Sequence, residues 1–448
     1  MTKPLFGTDG IRGVANSSPI DPCTVLHIAM AAGHCFMSGK HRHRVIIGKD
    51  TRLSGYMLEP SLVAGFTAMG MEVILVGPMP TPAISMLTQS MRGDLGVMIS
   101  ASHNPYHDNG IKFFDSQGHK LSDALQKRIA QLVANQDMMS MLAPPDQLGQ
   151  AKRLEDARGR YIEYVKSTFD SGLNLSQLKI VVDCANGATY KTAPTILWEL
   201  GADVVPIHHA PNGYNINRDC GATAPESLAR AVVEHKADLG IALDGDGDRV
   251  IMTDENGTIF DGDYILALIA QDLYHNKAKQ KNAKKPCVVG TIVSNGGLQR
   301  YLDSIGVHLQ RAPVGDRHVF QNMQRHHADI GGEASGHILF KNYGSTGDGI
   351  VTALQVCASI IRKNKPASAC FALFDKIPQM NKNIPLNGTP LASIEKDIDH
   401  LRTTLGDYGL LVVRPSGTEP FVRITASSFD TQAMQNAVDH IAQRLSAP

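Results

Sequence analysis

The chain has 448 residues, of which 43 are basic and 43 are acidic, so its formal net charge is zero. This balance argues against a nucleic-acid surface built on bulk charge, although a local basic pocket for a small anion remains compatible with it. Hydrophobic residues make up 43% of the chain and charged residues 19%, which is ordinary for a globular protein. At about 150 residues per domain, the length alone predicts roughly three domains with separate cores.

The seven cysteines are scattered and contain no C-x-x-C pair, so they predict neither a zinc site nor a disulfide framework. The N-terminal residues lack the apolar core of a signal peptide. No apolar stretch approaches the ~18 residues that a membrane span needs. We therefore expect a soluble, cytoplasmic protein whose partners include neither a membrane nor a nucleic acid.

Short β-branched runs recur along the chain, each followed by a loop and then a helical pattern. This alternation predicts βαβ units on largely parallel sheets. In such sheets ligands gather at the carboxyl ends of strands, so chemistry is expected in the loops after Ile99 and Leu243. The predicted strands cover residues 44–48, 73–77, 95–99, 179–183, 202–206 and 239–244.

Composition shifts predict the domain boundaries. Residues 138–150 are rich in Met, Pro and Gln without periodicity, which is typical of a linker. A turn at Asn256-Gly257 and a basic, proline-containing stretch over 363–368 predict two further breaks. The predicted domains are 1–150, 151–257, 258–367 and 368–448, the last a smaller α+β unit ending in a helix over 431–445.

The first motif with chemical potential is a serine loop directly after the strand over 95–99. Its sequence is Ser100-Ala101-Ser102-His103-Asn104-Pro105, and Pro105 lacks the N–H that a continuing helix needs. Such a loop presents the Ser102 hydroxyl to a cleft, with backbone N–H groups available to hold a phosphate. Two alternatives stay open at this point: a turn in which Ser and Asn side chains cap the backbone, and Ser100 as the phosphate acceptor.

The second motif is an acidic loop after the strand over 239–244. Asp244, Asp246 and Asp248 alternate with glycines, which let the backbone fold tightly enough for three carboxylates to meet at one hard cation such as Mg²⁺. A solvated acidic turn is the alternative. An EF-hand fails because its required glycine would fall on Arg249, and an aspartate-nucleophile phosphatase fails because Asp248 stands where Thr or Val is usual.

Two later loops predict sugar and phosphate binding. In the segment Gly331-Gly332-Glu333-Ala334-Ser335-Gly336-His337, Glu333 and Ser335 can hydrogen-bond sugar hydroxyls, and His337 can transfer protons or bind phosphate. In Arg414-Pro415-Ser416-Gly417-Thr418-Glu419-Pro420, followed by Arg423, two arginines bracket hydroxyl groups and turn N–H groups. Arg12 in a glycine-rich start is a further candidate phosphate contact, and Lys112 is a candidate acid–base group or charge stabiliser.

Taken together and in this order, these motifs resemble the α-D-phosphohexomutase superfamily over essentially the whole chain. Within it, the chain resembles the bacterial phosphoglucosamine mutases, through the residues over 6–13 and through 212–217 with 220–223. Ala334 has no polar group, so this position does not itself read the sugar's 2-amino group.

The resemblance implies a heart-shaped α/β protein of four domains around a central cleft, with three similar mixed-sheet domains and a smaller α+β domain at the C-terminus. It implies an isomerase that interconverts glucosamine 6-phosphate and glucosamine 1-phosphate through phosphorylated Ser102 and a 1,6-bisphosphate intermediate, for UDP-N-acetylglucosamine and cell-wall synthesis. The implied cofactor is one Mg²⁺, and the implied partner is a hexosamine phosphate, with monomer and dimer both open.

The resemblance also implies a role for each motif residue. The catalytic set is Ser102, Lys112, His337 and Arg249. The metal ligands are Ser102, Asp244, Asp246 and Asp248. The substrate-binding set is Arg12, His103, Glu333, Ser335, Arg414, Ser416, Gly417, Thr418 and Arg423.

Two other functions compete with this one. A phosphomannomutase/phosphoglucomutase would use the same machinery on another sugar. A non-catalytic sugar-phosphate-binding relative would keep the fold but would transfer no phosphate to Ser102.

Overall fold

The computed structural model describes residues 4–7, 9–135, 138–274, 285–385, 391–415 and 421–446. Its chain divides into two compact units. The first is Met1–Asp261 with Ser335–Cys370, and the second is Gly262–Ala334 with Phe371–Pro448. None of the helices in the described residues is both long and apolar enough to cross a membrane.

The first unit begins with a six-stranded mixed sheet in spatial order β1-β5-β4-β2-β3-β6. Strands β2, β3, β4 and β6 run parallel, whereas β1 and β5 are antiparallel to their neighbours. Every residue of β4 is buried, as expected for a central strand covered on both faces. The strands are β1 (Ile11–Val14), β2 (Arg44–Lys49), β3 (Glu72–Pro78), β4 (Leu95–Ile99), β5 (Asp108–Asp115) and β6 (Ala151–Arg153).

Helices cover this sheet, and their apolar faces close its core. Leu58, Leu62 and Phe66 of the second helix pack with Ile28 of the first in one buried hydrophobic cluster. The helices are α1 (Pro22–Phe36), α2 (Gly55–Ala68), α3 (Thr81–Ser90) and α4 (Asp123–Asn135), followed by 3₁₀ turns at Met139–Met141 and Pro145–Gln147.

A second mixed sheet, in order β11-β10-β9-β7-β8, completes the strand framework that positions the site. Strand β9 is wholly buried and ends at Leu243, directly before the acidic loop. The elements are α5 (Ala157–Ser167), β7 (Lys179–Asp183), α6 (Thr192–Glu199), β8 (Asp203–Ile207), a 3₁₀ turn (Gly221–Thr223), α7 (Glu226–His235), β9 (Leu239–Leu243), β10 (Val250–Asp254) and β11 (Ile259–Phe260).

The second unit contains parallel strands in order β13-β12-β14 and, near the C-terminus, an antiparallel sheet in order β16-β18-β17. Its elements are α8 (Gly262–Tyr274), β12 (Cys287–Thr291), α9 (Gly296–Ser304), β13 (His308–Ala312), α10 (Asp316–His326), β14 (Ile330–Gly332), and later β16 (Gln379–Pro385), a 3₁₀ turn (Leu391–Ile394), α13 (Glu395–Thr404), β17 (Leu410–Pro415), β18 (Phe421–Ser427) and α14 (Thr431–Ser446). The intervening elements are β15 (Ile338–Phe340), α11 (Gly349–Lys363) and α12 (Ala367–Phe371).

The six predicted strands are all present, within one residue of their predicted bounds. The sheets are less parallel than the strand pattern alone indicates, because β5 and β10 return as antiparallel hairpin partners of β4 and β9. The predicted turn at Asn256-Gly257 is present and joins β10 to β11, which pair antiparallel in one sheet. The domain boundaries remain predictions.

Candidate active site

Ser102 lies in the loop between β4 and β5, and its backbone has a φ of 53°, in the left-handed region that disfavours side chains. The Ser102 Oγ donates to Asp244 Oδ2 at 2.6 Å and lies 3.4 Å from His103 Nδ1. Ser100 is oriented elsewhere, because its Oγ donates to Asp50 Oδ2 at 2.6 Å. The two strand-end loops predicted from the sequence therefore meet at Ser102 and Asp244.

Asp244, Asp246 and Asp248 each offer an oxygen atom, and these atoms lie within 4.8 Å of one another. All three residues are at most 3% exposed. The turn that brings them together depends on Gly247, whose φ is 71° and whose Cβ, if present, would lie 2.4 Å from Thr189 Cγ2. Burial, with the charges of Asp248 and Asp246, raises the pKa of Asp244 to about 8.

This cluster fits a hard divalent cation. All of its donors are oxygen atoms, which Mg²⁺ prefers. The buried Asp246 Oδ1 has no hydrogen-bond donor within the described part of the chain. Three mutually repelling carboxylates held together at the end of a buried strand are the arrangement that a bound cation would stabilise.

One buried ammonium group already offsets part of this negative charge. Lys112 Nζ, on β5, lies 2.8 Å from Asp246 Oδ2, 3.1 Å from Asp248 Oδ2 and 3.2 Å from Asp9 Oδ2. Burial lowers the pKa of Lys112, but the three carboxylates outweigh it and hold the pKa well above its usual value. Asp9 also pairs with Arg12, at 2.6 Å, and with Lys120.

Two more predicted residues, Arg249 and His337, contact the cluster. The Arg249 N–H donates to Asp244 Oδ1 at 3.2 Å, and the Arg249 Nε lies 3.9 Å from Asp248 Oδ1. His337 Nδ1 lies 3.5 Å from Asp248 Oδ1, while its Nε2 accepts the Gly347 N–H at 3.1 Å. This second bond places the ring proton on Nδ1, facing the carboxylate.

His103 is held neutral by its surroundings. Burial, with the charges of Arg249 and Arg12, lowers the pKa of His103 to about 4. At neutral pH its imidazole therefore acts as a neutral donor and acceptor beside the Ser102 hydroxyl.

The remaining predicted residues are distributed over both units. Ser335 belongs to the first unit and is exposed. In the second unit, Glu333 Oε1 accepts the Gly315 N–H at 2.7 Å. Arg414 and Arg423 are direct cross-strand partners of β17 and β18. Ser416, Gly417 and Thr418 lie outside the described residues.

The two arginines form a concentrated positive site. Directly opposed residues of an antiparallel pair share one face, where like charges repel. Burial and the charge of Arg423 lower the pKa of Arg414, while Glu333 acts in the opposite direction. The arrangement suits an anion such as phosphate.

Four residues of the site were not singled out from the sequence. Asp9 pairs with Lys112, Thr81 Oγ1 donates to Asp246 Oδ2, and Arg52 and Asn217 donate to carbonyl groups of the serine loop. Arg52 follows β2, which pairs with β4, and Thr81 follows β3, which pairs with β2. Both residues therefore lie near the carboxyl ends of parallel strands, and this position could have marked them in the sequence as site residues. Asn217 gave no such signal.

Four family models match this chain, one after another. The alpha/beta/alpha domains I, II and III of phosphoglucomutase/phosphomannomutase match residues 3–139, 159–257 and 261–377, and the C-terminal domain of the same family matches residues 379–444. The chain therefore belongs to the phosphoglucomutase/phosphomannomutase family and has its four-domain α/β architecture.

Within that family, similar proteins over the full length are phosphoglucosamine mutases. The protein of that name from Chelativorans sp. (strain BNC1) is 52% identical, with 99% of this chain and 98% of the relative covered. The one from Parvibaculum lavamentivorans is also 52% identical, with the same coverage.

Solved structures share the fold at lower identity. A phosphoglucomutase/phosphomannomutase family protein from Burkholderia thailandensis has a TM-score of 0.81 at 23% identity, with 99% of this chain and 97% of that one covered. Aspergillus fumigatus N-acetylphosphoglucosamine mutase, in complex with GlcNAc-6P and magnesium, has a TM-score of 0.69 at 18% identity, with 99% and 95% covered.

Proposed function

We propose that this protein is a phosphoglucosamine mutase, an isomerase that interconverts glucosamine 6-phosphate and glucosamine 1-phosphate for UDP-N-acetylglucosamine and peptidoglycan synthesis. The observation that carries the proposal is the Ser102 hydroxyl, 2.6 Å from the aspartate cluster, in a chain about 52% identical to phosphoglucosamine mutases. The scattered cysteines suit a reducing compartment, so we place the reaction in the cytoplasm.

In this proposal Ser102 carries the phosphoryl group. Phosphorylated Ser102 transfers the group to the free end of the hexosamine phosphate and produces a 1,6-bisphosphate. The bisphosphate reorients, and its other phosphoryl group returns to Ser102. Ser100 is the weaker candidate, because its hydroxyl is engaged by Asp50 and by the Ser102 N–H.

We propose Mg²⁺ as the cofactor, held by Asp244, Asp246, Asp248 and an oxygen on Ser102. When bound, it would supply positive charge that offsets the charge of the transferring phosphoryl group. This assignment is supported by the all-oxygen donor set and by the magnesium in the complex of the Aspergillus fumigatus enzyme.

The surrounding side chains have electrostatic and positioning roles in the proposal. Lys112 stays protonated and stabilises charge beside the aspartates, since its raised pKa makes it a poor base at neutral pH. His337 orients Asp248 through Nδ1, and a proton-transfer role would require it to leave Gly347. Arg12, His103 and Arg249 line the phosphoryl group on Ser102.

The far end of the substrate is bound by the other predicted set. We propose that Arg414 and Arg423, with Ser416, Gly417 and Thr418, hold the phosphate that does not react. Glu333 and Ser335 would bind sugar hydroxyls. The opposed arginines of β17 and β18 support the anion site.

The experiment pairs peptide mass spectrometry with a coupled rate assay on glucosamine 6-phosphate. We expect phosphate on the Ser102 peptide of active protein, and neither phosphate nor turnover in Ser102→Ala. Ser116→Ala, which changes an exposed serine in a turn, should behave as wild type. Phosphate on Ser100 alone with full activity would overturn the assignment.

Substrate preference separates the competing sugar specificities. Faster turnover of glucose 6-phosphate or mannose 6-phosphate would make the protein a phosphoglucomutase or phosphomannomutase instead. Complete inactivity on all three, with no phosphoserine, would favour a binding protein.

A further inference from the structure

Arg52 lies just after β2, and its side chain is 0% exposed. Its Nε donates to Asp50 Oδ2 at 2.8 Å. The two terminal nitrogens donate to backbone carbonyl groups around Ser102. These acceptors are the carbonyl oxygens of Ser102 at 2.9 Å, Asn104 at 2.8 Å, Pro105, and Asp108 at 3.1 Å.

These contacts use the whole hydrogen-bonding capacity of the side chain. A guanidinium has five N–H donors, and here one faces a carboxylate while four face carbonyl groups of a single loop and the first residue of β5. No donor of Arg52 is left for a substrate phosphate. Arg52 therefore acts on the loop rather than on a ligand.

The loop needs such support because Ser102 has a φ of 53°. A non-glycine residue persists in this region only where its surroundings hold it there. The Ser102 carbonyl is held by Arg52 and also by Asn217 Nδ2, at 2.9 Å. The Ser102 N–H donates to Ser100 Oγ at 2.9 Å, and Ser100 Oγ donates in turn to Asp50 Oδ2.

The pair Arg52 and Asp50 thus fixes Ser102 from both sides of its α-carbon. Arg52 binds the carbonyl directly, and Asp50 controls the N–H through Ser100. With both peptide groups fixed, the direction of the side chain is set, and its Oγ faces Asp244. A small rotation at either peptide would turn the hydroxyl away from the aspartates.

We propose that Arg52, together with Asp50, is a positioning residue for phosphoryl transfer, which holds the left-handed turn that aims the Ser102 oxygen at the aspartate cluster. The proposal rests on the proposed function of Ser102 as the phosphoryl carrier. It assigns Arg52 a role in the reaction although it touches neither the sugar nor its phosphates.

Arg52→Lys tests this directly. Lysine keeps the buried positive charge beside Asp50, but it replaces a planar fork of five donors by three donors on one atom, so it cannot hold four carbonyl groups. We expect kcat to fall on the order of 10²-fold, as for a displacement of about 1 Å at a reacting atom. KM for glucosamine 6-phosphate should change by less than about threefold, because no substrate contact is lost.

A single-turnover measurement identifies the affected step. Protein labelled with ³²P on Ser102 is mixed with glucosamine 6-phosphate, and loss of label from the protein is followed. We expect the same slowing as in kcat. Unchanged transfer, or a change confined to KM, would overturn the proposal.

Two controls separate positioning from general destabilisation. Ile28→Val removes a methyl group from the fully buried core of α1 and lowers the melting temperature with kcat preserved. Arg160→Lys makes the same chemical change in an exposed i,i+4 ion pair and should have no effect. If Ile28→Val and Arg52→Lys lower the melting temperature equally and also lower kcat equally, Arg52 has only a structural role.

A second variant covers the case in which Arg52→Lys does not fold. Asn217→Asp keeps the size of the side chain and its tolerance of positive φ, but it turns a carboxylate oxygen toward the carbonyls of Ser102 and Asn104. It should show the same loss of kcat with KM retained, and full kcat would refute the positioning mechanism.

The two proposals fail in different ways. If wild-type protein carries no phosphate on Ser102 and has no mutase activity, the proposed function fails. If wild-type protein is phosphorylated and active while Arg52→Lys keeps its kcat, only the positioning role fails.

Discussion

Replacing Lys112 by methionine removes one positive charge from the most crowded part of the site while it keeps most of the side-chain volume. Lys112 Nζ lies 2.8 Å, 3.1 Å and 3.2 Å from oxygens of Asp246, Asp248 and Asp9. At an effective dielectric constant of about 20, each contact represents roughly 5 kcal/mol of Coulomb attraction. Most of this sum offsets the cost of burying the charges, so the expected loss is that of a broken buried pair, about 3–5 kcal/mol.

The assay is unfolding by urea in the presence of EDTA. Unfolding of the first unit is monitored through hydrogen exchange of the peptide that contains β4 and β5. We expect Lys112→Met to lower the free energy of unfolding by about 3–5 kcal/mol. With saturating Mg²⁺ the deficit should shrink, because a cation on the three aspartates replaces part of the lost attraction and binds more tightly without the competing ammonium.

Lys152→Met is the matched control, since Lys152 pairs with Glu72 on the surface and its side chain is 58% exposed. Lys152→Met should lower the free energy of unfolding by less than about 1 kcal/mol. A Lys112→Met protein within about 1 kcal/mol of wild type in EDTA would refute the reasoning. It would mean that the aspartates do not depend on Lys112 for charge compensation.

Two further predictions concern the serine loop. In dephosphorylated protein, His103 should stay neutral down to about pH 5, because burial and the Arg249 charge lower its pKa to about 4; a histidine NMR titration with a midpoint above pH 6 would contradict this. In the unfolded chain His103 has its ordinary pKa of about 6.5, so on acidification the unfolded chain binds a proton at His103 before the folded protein does. The free energy of unfolding should therefore fall as the pH is lowered from about 6.5 toward 4. Gly245→Ala should reduce mutase activity on the order of 10²-fold, since its Cβ would lie 2.6 Å from the Ser102 carbonyl oxygen. Gly159→Ala in α5 is the control, because its Cβ would meet nothing within 4 Å; its free energy of unfolding should rise by about 0.5–1 kcal/mol, and its activity should be unchanged. Equal activities of Gly245→Ala and Gly159→Ala would show that the reaction tolerates a larger distance between the serine loop and the acidic loop.

The positions of the strands and of the main loops could be predicted from the sequence. Apolar runs such as Leu95–Ile99 and Leu239–Leu243 can be recognised as strands in the sequence, because a strand covered on both faces is apolar along its whole length. The residues at their carboxyl ends, Ser102 and Asp244, were therefore predictable as neighbours of a ligand. Their direct contact was not, because it joins residues 142 positions apart in different sheets.

What the sequence by itself determined was the set of chemical groups: a serine, three aspartates and two bracketing arginines, each in a short local motif. What only the tertiary structure decided was how these groups are held and charged. Asp9 forms an ion pair with Lys112, and Arg52 donates hydrogen bonds to the serine loop. Both contacts join residues that are far apart in the sequence. Local motifs cannot carry this information, since burial and long-range contact, rather than neighbouring residues, set the pKa and the direction of a buried side chain.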